Sequence, residues 1–209
     1  AIDQSIDDLG RTEIAKLVGD TVDPMFAQQA REASSMEDAA EVLQAGLERL
    51  AQAATQGGDL LVVNLHPVEQ PQVSKLQAVQ PGVAFVAPRS NVYPLLARCS
   101  ALVTDYSSVM FDFAVTGRPM VFHAPDLEQY RDELRGWYFD LEAEAPGPIT
   151  RNGEELASAV AESLAHGTPS SHLGRYQAFR ERFSAWERGD AAVRVADALL
   201  EGVQSQRRR

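Results

Sequence analysis

Residues 101–123 read ALVTDYSSVMFDFAVTGRPMVFH and contain the pattern that decides the fold. The apolar run 101–104 has the length of a buried strand, and 120–123 is a second such run. Between them, Ser108–Thr116 has helical spacing and is followed by Gly117, a residue typical of the position beyond a helix C-terminus. Apolar strands joined by a helix are typical of a βαβ unit, in which the strands run parallel.

The same alternation extends upstream. Leu60–Leu65 and Val83–Ala87 are short apolar runs of strand length, with a weak helical pattern between them at about 71–79 and a clearer one at Asn91–Arg98. Strands that are apolar on both faces belong to a parallel sheet that is covered by helices on both sides. The sequence therefore predicts an α/β fold with a doubly wound, Rossmann-like parallel sheet.

An amphipathic helix is predicted before the first of these strands, over residues 34–57. It begins with a capping box and ends at two glycines. Residues 1–33 show no sustained period and no motif. We therefore divide the chain into an N-terminal segment of uncertain structure, 1–33, and a nucleotide-binding α/β domain with a helical tail, 34–209.

Three helices are predicted in that tail. Asn152 caps one that reaches about Ala165, Ser171 begins a second, and Asp190 begins a third. The second helix carries an aromatic stripe whose spacing indicates packing against the core rather than a cofactor site. The stripe consists of Tyr176, Phe179, Phe183 and Trp186.

Composition limits the functions open to the chain. Its 209 residues are 44% hydrophobic, and 30 acidic against 19 basic side chains give a formal net charge of -11, which disfavours binding to nucleic acid. No apolar stretch has the roughly 20 residues of a spanning helix, and the first residues lack the pattern of a signal peptide. The single cysteine, Cys99, lies in an apolar run, so we expect it to be buried.

Polar clusters follow the predicted strands at their carboxyl ends, where open parallel sheets bind ligands. Ser107 and Ser108 end a strand and open a helix, so that two hydroxyls and free amides could hold a phosphate; a plain N-cap serine is an equally good interpretation. Asp112, one turn along, fits either a ribose contact or a solvated surface residue. Asp105 is expected to bond nearby backbone and fix the turn.

A histidine is the second candidate. His66 ends a predicted strand and precedes Pro67, which restricts it to extended backbone. Its imidazole could bind a phosphate or protonate a leaving phosphate oxygen, although a lone histidine at a strand end is more often structural. Its position two strands from the serines favours the functional interpretation.

The remaining candidates lie around the long segment 124–150, which breaks the alternation. Arg118, Arg131 and Arg135 are guanidinium forks suited to phosphate, although most charges there are expected to pair with each other. Motifs of serine hydrolases, P-loop proteins, dinucleotide-binding sheets and zinc sites are absent from the sequence. It also lacks an Asp-x-Asp pair, so we predict a nucleotide site that uses no metal and no cofactor.

These residues together resemble the CDP-glycerol glycerophosphotransferase family, the polymerases and primases of teichoic acid and related capsule polymers. The resemblance rests on Thr104–Phe113, Arg118-Pro119, the loop motif Asp126–Asp140 and Ala145–Pro148, and it covers about 60–165. It implies a two-domain GT-B glycosyltransferase fold, with this chain similar to the C-terminal, nucleotide-binding half.

The resemblance also implies a transferase. The hydroxyl of a growing polymer attacks the β-phosphate of CDP-glycerol, and CMP leaves without a covalent enzyme intermediate. By this resemblance the serines hold the pyrophosphate, Asp112 takes the ribose, and the Pro88–Asn91 loop sits by the cytosine and offers backbone groups. The implied catalytic residue is His66, and the implied substrate-binding residues are His66, Pro88, Arg89, Ser107, Ser108, Asp112 and Arg135.

The implied partners are the donor, a polyol-phosphate polymer acceptor and an N-terminal acceptor domain, without which turnover by this chain alone is in question. The implied location is the cytoplasm at the inner face of the bacterial plasma membrane, with peripheral membrane contact left open. Two alternatives remain open. One is a GT-B transferase that uses a UDP-sugar or CMP-sialic acid, and the other is a non-catalytic nucleotide-binding module.

The sequence departs from the family in two places. Residues 1–33 show no counterpart of the strand and the Ala-Pro-Thr-Trp-Arg-like segment with which the family's C-terminal domain usually begins. Asn64 stands where a basic residue often precedes the His-Pro pair. These two departures put in question the donor contacts that those elements supply in the family.

Overall fold

Six strands form a sheet within the part of the chain that the computed structural model describes, which comprises residues 14–18, 48–56, 58–64, 82–87, 89–125, 127–129 and 139–207. Of residues 14–18, 129 and 202–207 only the backbone is described. The strands are β1 (Ile14–Val18), β2 (Leu61–Asn64), β3 (Val83–Phe85), β4 (Cys99–Thr104), β5 (Met120–His123) and β6 (Ile149–Thr150). Every neighbouring pair is parallel.

The helices alternate with these strands along most of the chain. They are α1 (48–56), α2 (Tyr93–Leu96), α3 (Val109–Ala114), α4 (Leu127–Gln129), α5 (Leu141–Glu144), α6 (Gly153–His166), α7 (Leu173–Phe183) and α8 (Ala191–Arg207), with a 3-10 turn at Ser170–His172. The remainder of the helix predicted over 34–57, and the weak one at 71–79, lie outside the described residues.

The strand order across the sheet is β3-β2-β1-β4-β5-β6. The chain first builds outward from β1 to β3, then returns to the other side of β1 and builds outward again from β4. This order confirms the predicted doubly wound, Rossmann-like sheet. It also places the topological switch point between β1 and β4, which is where such sheets bind their ligands.

The central strand β1 corrects the sequence analysis, which assigns no element to residues 1–33. Lys16 of β1 is in register with Val62 of β2 on one side and with Leu102 of β4 on the other. The sequence of this strand, IAKLV, is short and is interrupted by a charged residue, so it lacks the apolar run by which the other strands are found. The sheet therefore extends into the segment before residue 34.

Helices cover both faces of the sheet. On one face, Leu50 and Ala54 of α1 and Leu156 of α6 pack with Val103 and Val121 of the sheet. On the other face, α3 and α7 pack against β4 and β5, and their buried side chains include Met110, Phe113, Tyr176 and Phe179 together with Leu102 and Phe122. Burial on both faces is the reason why these strands read as continuous apolar runs.

The predicted cap of α6 is confirmed. Asn152 has extended backbone, and its side-chain oxygen accepts hydrogen bonds from the amides of Glu154 (3.1 Å) and Glu155 (2.9 Å). Cys99 is buried as expected, with its thiol directed at the carbonyl oxygen of Leu95.

The C-terminal helices follow the prediction in part. Tyr176 and Phe179 of α7 are buried, but α7 ends at Phe183, and Trp186 is 72% exposed. The assignment of Trp186 to the core stripe is therefore wrong, because the chain leaves the helix before that residue. Helix α8 forms as predicted, with Val193, Leu199 and Leu200 exposed. Within the described residues, no helix combines the length and the apolar character that crossing a membrane requires.

Candidate functional site

The turn after β4 lies beside the switch point and is shaped by Asp105. This carboxylate is buried, and it accepts a hydrogen bond from the amide of Ser107 at 2.9 Å. Such a side-chain bond to the backbone two residues on forms an Asx turn, which fixes the path from the strand into the following helix. The structural role predicted for Asp105 is thereby confirmed.

The two serines differ in what they bind within the protein. The Ser107 hydroxyl accepts from the amide of Val109 at 3.5 Å, the long end of the hydrogen-bond range. Ser108 is the N-cap residue of α3 but makes no side-chain cap, and it is exposed. Among the described residues its hydroxyl has no hydrogen-bond partner, so it is available to a ligand at the carboxyl edge of the sheet.

Asp112 lies on the same face of α3 as Ser108. Residues four apart on a helix are neighbours, with Cβ atoms roughly 5–6 Å apart. Asp112 is exposed, in the first turn of the six-residue helix. The structure therefore brings Ser107, Ser108 and Asp112 together as a group of two hydroxyls and one carboxylate beside β4.

Arg89 lies farther along the same edge. It follows β3, which is three strands from β4, so at a spacing of about 4.8 Å per strand the two turns are roughly 14 Å apart. Arg89 is exposed and has a left-handed backbone with φ of 63°. Two residues later, the Asn91 side chain accepts from the amide of Tyr93 at 3.1 Å and so shapes the entry to α2.

Four further candidates have no described position. His66, Pro88 and Arg135 lie outside the described residues, as does Arg131. Their assignments stay predictions from the sequence.

Arg118 has a structural position, contrary to its interpretation as a phosphate fork. Its guanidinium donates hydrogen bonds to the carbonyl oxygens of Leu96 (3.0 Å), Ala97 (2.9 Å) and Cys99. Cys99 begins β4, so these bonds lie at the amino edge of the sheet, opposite the serines. Both terminal nitrogens of the guanidinium are thus bonded to carbonyl oxygens at the end of α2 and the start of β4. Sequence spacing alone does not reveal that geometry.

His123 also has a structural position. It is fully buried at the carboxyl end of β5, and its Nδ1 lies 2.9 Å from the hydroxyl oxygen of Thr150. That hydroxyl also lies 3.1 Å from the carbonyl oxygen of Phe122, to which it donates. The pair ties β6 to β5.

Sequence analysis missed Arg151, which directly follows β6 at the carboxyl edge. Its guanidinium donates to the carbonyl oxygen of Ala124 (3.1 Å) and to the carboxylates of Glu128 (3.1 Å) and Glu142 (3.2 Å). The three acceptors are 9 to 27 residues away in sequence. No local pattern could have indicated the cluster.

Comparison with known proteins shows the family of this chain. Residues 24–201 match the family model of CDP-Glycerol:Poly(glycerophosphate) glycerophosphotransferase. The chain belongs to this family. This confirms the resemblance noted from the residues around Thr104–Phe113.

Two curated relatives are similar over about half of this chain. It is 39% identical over 118 residues to the teichoic acid glycerol-phosphate transferase of Staphylococcus aureus, covering 56% of this chain and 30% of that protein. It is 44% identical over 101 residues to the teichoic acid poly(glycerol phosphate) polymerase of Bacillus subtilis, covering 47% of this chain and 13% of that protein. The matched region therefore spans less than a third of either relative.

A solved structure shares the fold. The wall teichoic acid polymerase TagF superposes with a TM-score of 0.70 at 22% identity, covering 100% of this chain and 48% of that one. At this identity the match shows the fold alone, and it confirms the similarity to a GT-B-like protein. The chain corresponds to about half of that structure.

Proposed function

We propose that this chain is the donor-binding part of a transferase that moves glycerol phosphate from CDP-glycerol to a teichoic-acid-like or capsule polymer and releases CMP. One observation carries the proposal: half-buried Ser107 and exposed Ser108 and Asp112 form a polar group beside the switch point of a doubly wound sheet. Family membership supports the choice of CDP-glycerol as the donor.

In this proposal the hydroxyls of Ser107 and Ser108 bind the donor pyrophosphate, and the Asp112 carboxylate accepts hydrogen bonds from the ribose hydroxyls. Asp112 is one helical turn from Ser108, which suits the sequence of groups from pyrophosphate to ribose in a nucleotide. Pro88 and Arg89 contribute backbone near the cytosine, and Arg135 contributes a further phosphate contact.

The proposed chemistry is a direct displacement at phosphorus. An acceptor hydroxyl oxygen bonds to the β-phosphorus, and the bond from that phosphorus to the bridging oxygen breaks. The bridging oxygen leaves on CMP, and the acceptor proton passes to a base. His66 stabilises the developing charge on the CMP phosphate or protonates it. The formal charge of -11 makes such local contacts necessary, because the overall field of the chain repels the donor.

Since the chain spans about half of TagF and less of the curated relatives, the acceptor site is proposed to lie in a further domain. The polymer acceptor is proposed to be a polyol phosphate. The enzyme is proposed to act at the inner face of the bacterial plasma membrane, in peripheral contact with it.

Calorimetry with the 209-residue chain tests the donor. We expect CDP-glycerol to bind more tightly than UDP-sugars or CMP-sialic acid. Tighter binding of one of those nucleotides would identify it as the donor in place of CDP-glycerol. If none of these nucleotides binds, the proposed nucleotide site is wrong. In an enzyme that includes the acceptor domain, His66→Ala should lower turnover more than donor affinity. Equal losses of turnover and affinity would show that His66 only binds the phosphate and takes no part in the chemical step.

A further inference from the structure

Arg151 joins three separate segments at the carboxyl edge of the sheet. Ala124 is the first residue after β5, Glu128 lies on α4, and Glu142 lies on α5. All three are bonded to one guanidinium at 3.1 to 3.2 Å. The planar, fixed fork of arginine suits this geometry, because its donors point in several directions at once.

The cluster gathers negative charge close to the candidate site. Arg151 follows β6, which is two strands from β4, so at about 4.8 Å per strand the cluster lies on the order of 10 Å from the turn that holds Ser107. That separation is close to the Debye length of about 8 Å at physiological ionic strength. Negative charge that is not compensated at this cluster would therefore repel an anion bound beside β4.

We propose that Arg151 is a positioning residue for donor binding, which gathers the carboxylates of Glu128 and Glu142 onto its guanidinium and compensates their charge at the edge where the anionic donor binds. This inference rests on the proposed function. The side chain of Arg151 is only 34% exposed, and those of the two glutamates are 61% and 48% exposed. Loss of the arginine would remove the positive charge that lies 3.1 to 3.2 Å from these two carboxylates at this edge of the sheet.

Arg151→Ala tests the proposal through the affinity for CDP-glycerol, measured by calorimetry at low salt. We expect binding about fivefold weaker, since one positive charge is lost about 10 Å from a pyrophosphate. The deficit should shrink as salt is added. The melting temperature should change little, because partly exposed ion pairs contribute little to stability.

A rescue variant separates charge compensation from other roles. In Arg151→Ala combined with Glu128→Gln and Glu142→Gln, the carboxylates are gone, so affinity should return to at least the wild-type value. Arg151→Lys keeps the charge and should retain most of the affinity. A triple variant that stays as weak as the single one would overturn the proposal, because Arg151 would then touch the donor itself or hold the fold.

Arg180→Ala is the matched control for net charge. The guanidinium of Arg180 lies 3.4 Å from the Val115 carbonyl oxygen, beyond the C-terminus of α3. This position is at the amino edge of the sheet, away from the candidate site. We therefore expect Arg180→Ala to bind CDP-glycerol with wild-type affinity. If the wild-type chain binds no CDP-glycerol, the proposed function fails, and this inference fails with it. If the wild type binds and Arg151→Ala binds equally well, only this inference fails.

Discussion

The Tyr176 hydroxyl donates a hydrogen bond to the carbonyl oxygen of Arg118, and the two oxygens are 2.7 Å apart. This bond joins α7 to the connection between α3 and β5, while the Arg118 side chain reaches back to the end of α2. Three segments that are distant in sequence are thereby fixed at the amino edge of the sheet. The opposite edge keeps its exposed polar groups for a ligand.

Tyr176 should make the free energy of unfolding decrease as pH rises in the alkaline range. Burial raises the pKa of Tyr176 to about 12 from its usual 10, so the native state holds the phenol proton where the unfolded state releases it. Stability from this group is present below pH 10 and is lost as pH rises toward 12. Urea unfolding between pH 9 and 11 should show a steeper loss for wild type than for Tyr176→Phe; identical slopes would contradict this origin.

Arg118→Ala should destabilise the fold without changing donor affinity. Three carbonyl oxygens lose a charged donor, and the ring of Phe113 loses a guanidinium 5.3 Å from its centroid. We expect a loss of about 2–3 kcal/mol in the free energy of unfolding. Exposed Arg98 is the matched control, and Arg98→Ala should change stability by less than about 0.5 kcal/mol. A selective loss of CDP-glycerol binding in folded Arg118→Ala would restore the phosphate-fork interpretation.

Gly147→Ala should be strongly destabilising. A Cβ atom at this position would lie 1.8 Å from the carbonyl oxygen of Met120, so the backbone of β5 would have to move. We expect a loss of about 3 kcal/mol in the free energy of unfolding, which chemical denaturation measures. At Gly174 of α7, a Cβ would meet no atom within 4 Å other than its chain neighbours and the nearby backbone of its own helix, so Gly174→Ala should be neutral or stabilising by up to about 1 kcal/mol. Equal stability of the two variants would contradict the packing argument.

Local chemistry made much of this fold predictable. Asn152 caps α6 through amides two and three residues away, so the sequence around it contains the whole signal. The strands β2, β4 and β5 are buried on both faces and appear as apolar runs for that reason. Asp105 forms its turn with Ser107, again within three residues.

Features that depend on distant contacts were not predictable. β1 forms because it pairs with β2 and β4, although a lysine interrupts the apolar residues of its five-residue sequence. Arg118 and Arg151 look alike as charged loop residues, yet one bonds carbonyls at the amino edge and the other bonds carboxylates at the carboxyl edge. Only the folded chain distinguishes these roles.

Asp105→Ala should weaken donor binding, because it removes the side chain that shapes the turn before α3. The Ser107 amide would lose its acceptor at 2.9 Å, and the turn that carries the two serines would no longer be fixed. We expect a loss of about 1–2 kcal/mol in stability and a measurable loss of CDP-glycerol affinity. Asp105→Asn keeps an oxygen acceptor at the same position and should bind better than the alanine variant. Wild-type affinity in Asp105→Ala would show that the turn does not position the serines.

The affinity of Ser107→Ala/Ser108→Ala for CDP-glycerol, measured by calorimetry, tests the central claim most directly. Removal of both hydroxyls should weaken binding by about 1–3 kcal/mol while circular dichroism and the melting temperature stay close to wild type. Ser170→Ala/Ser171→Ala is the matched control, because these exposed serines follow α6, which carries the chain away from the carboxyl edge. This control should bind like wild type. Unchanged affinity in Ser107→Ala/Ser108→Ala would contradict the account, because the donor pyrophosphate would then lie elsewhere.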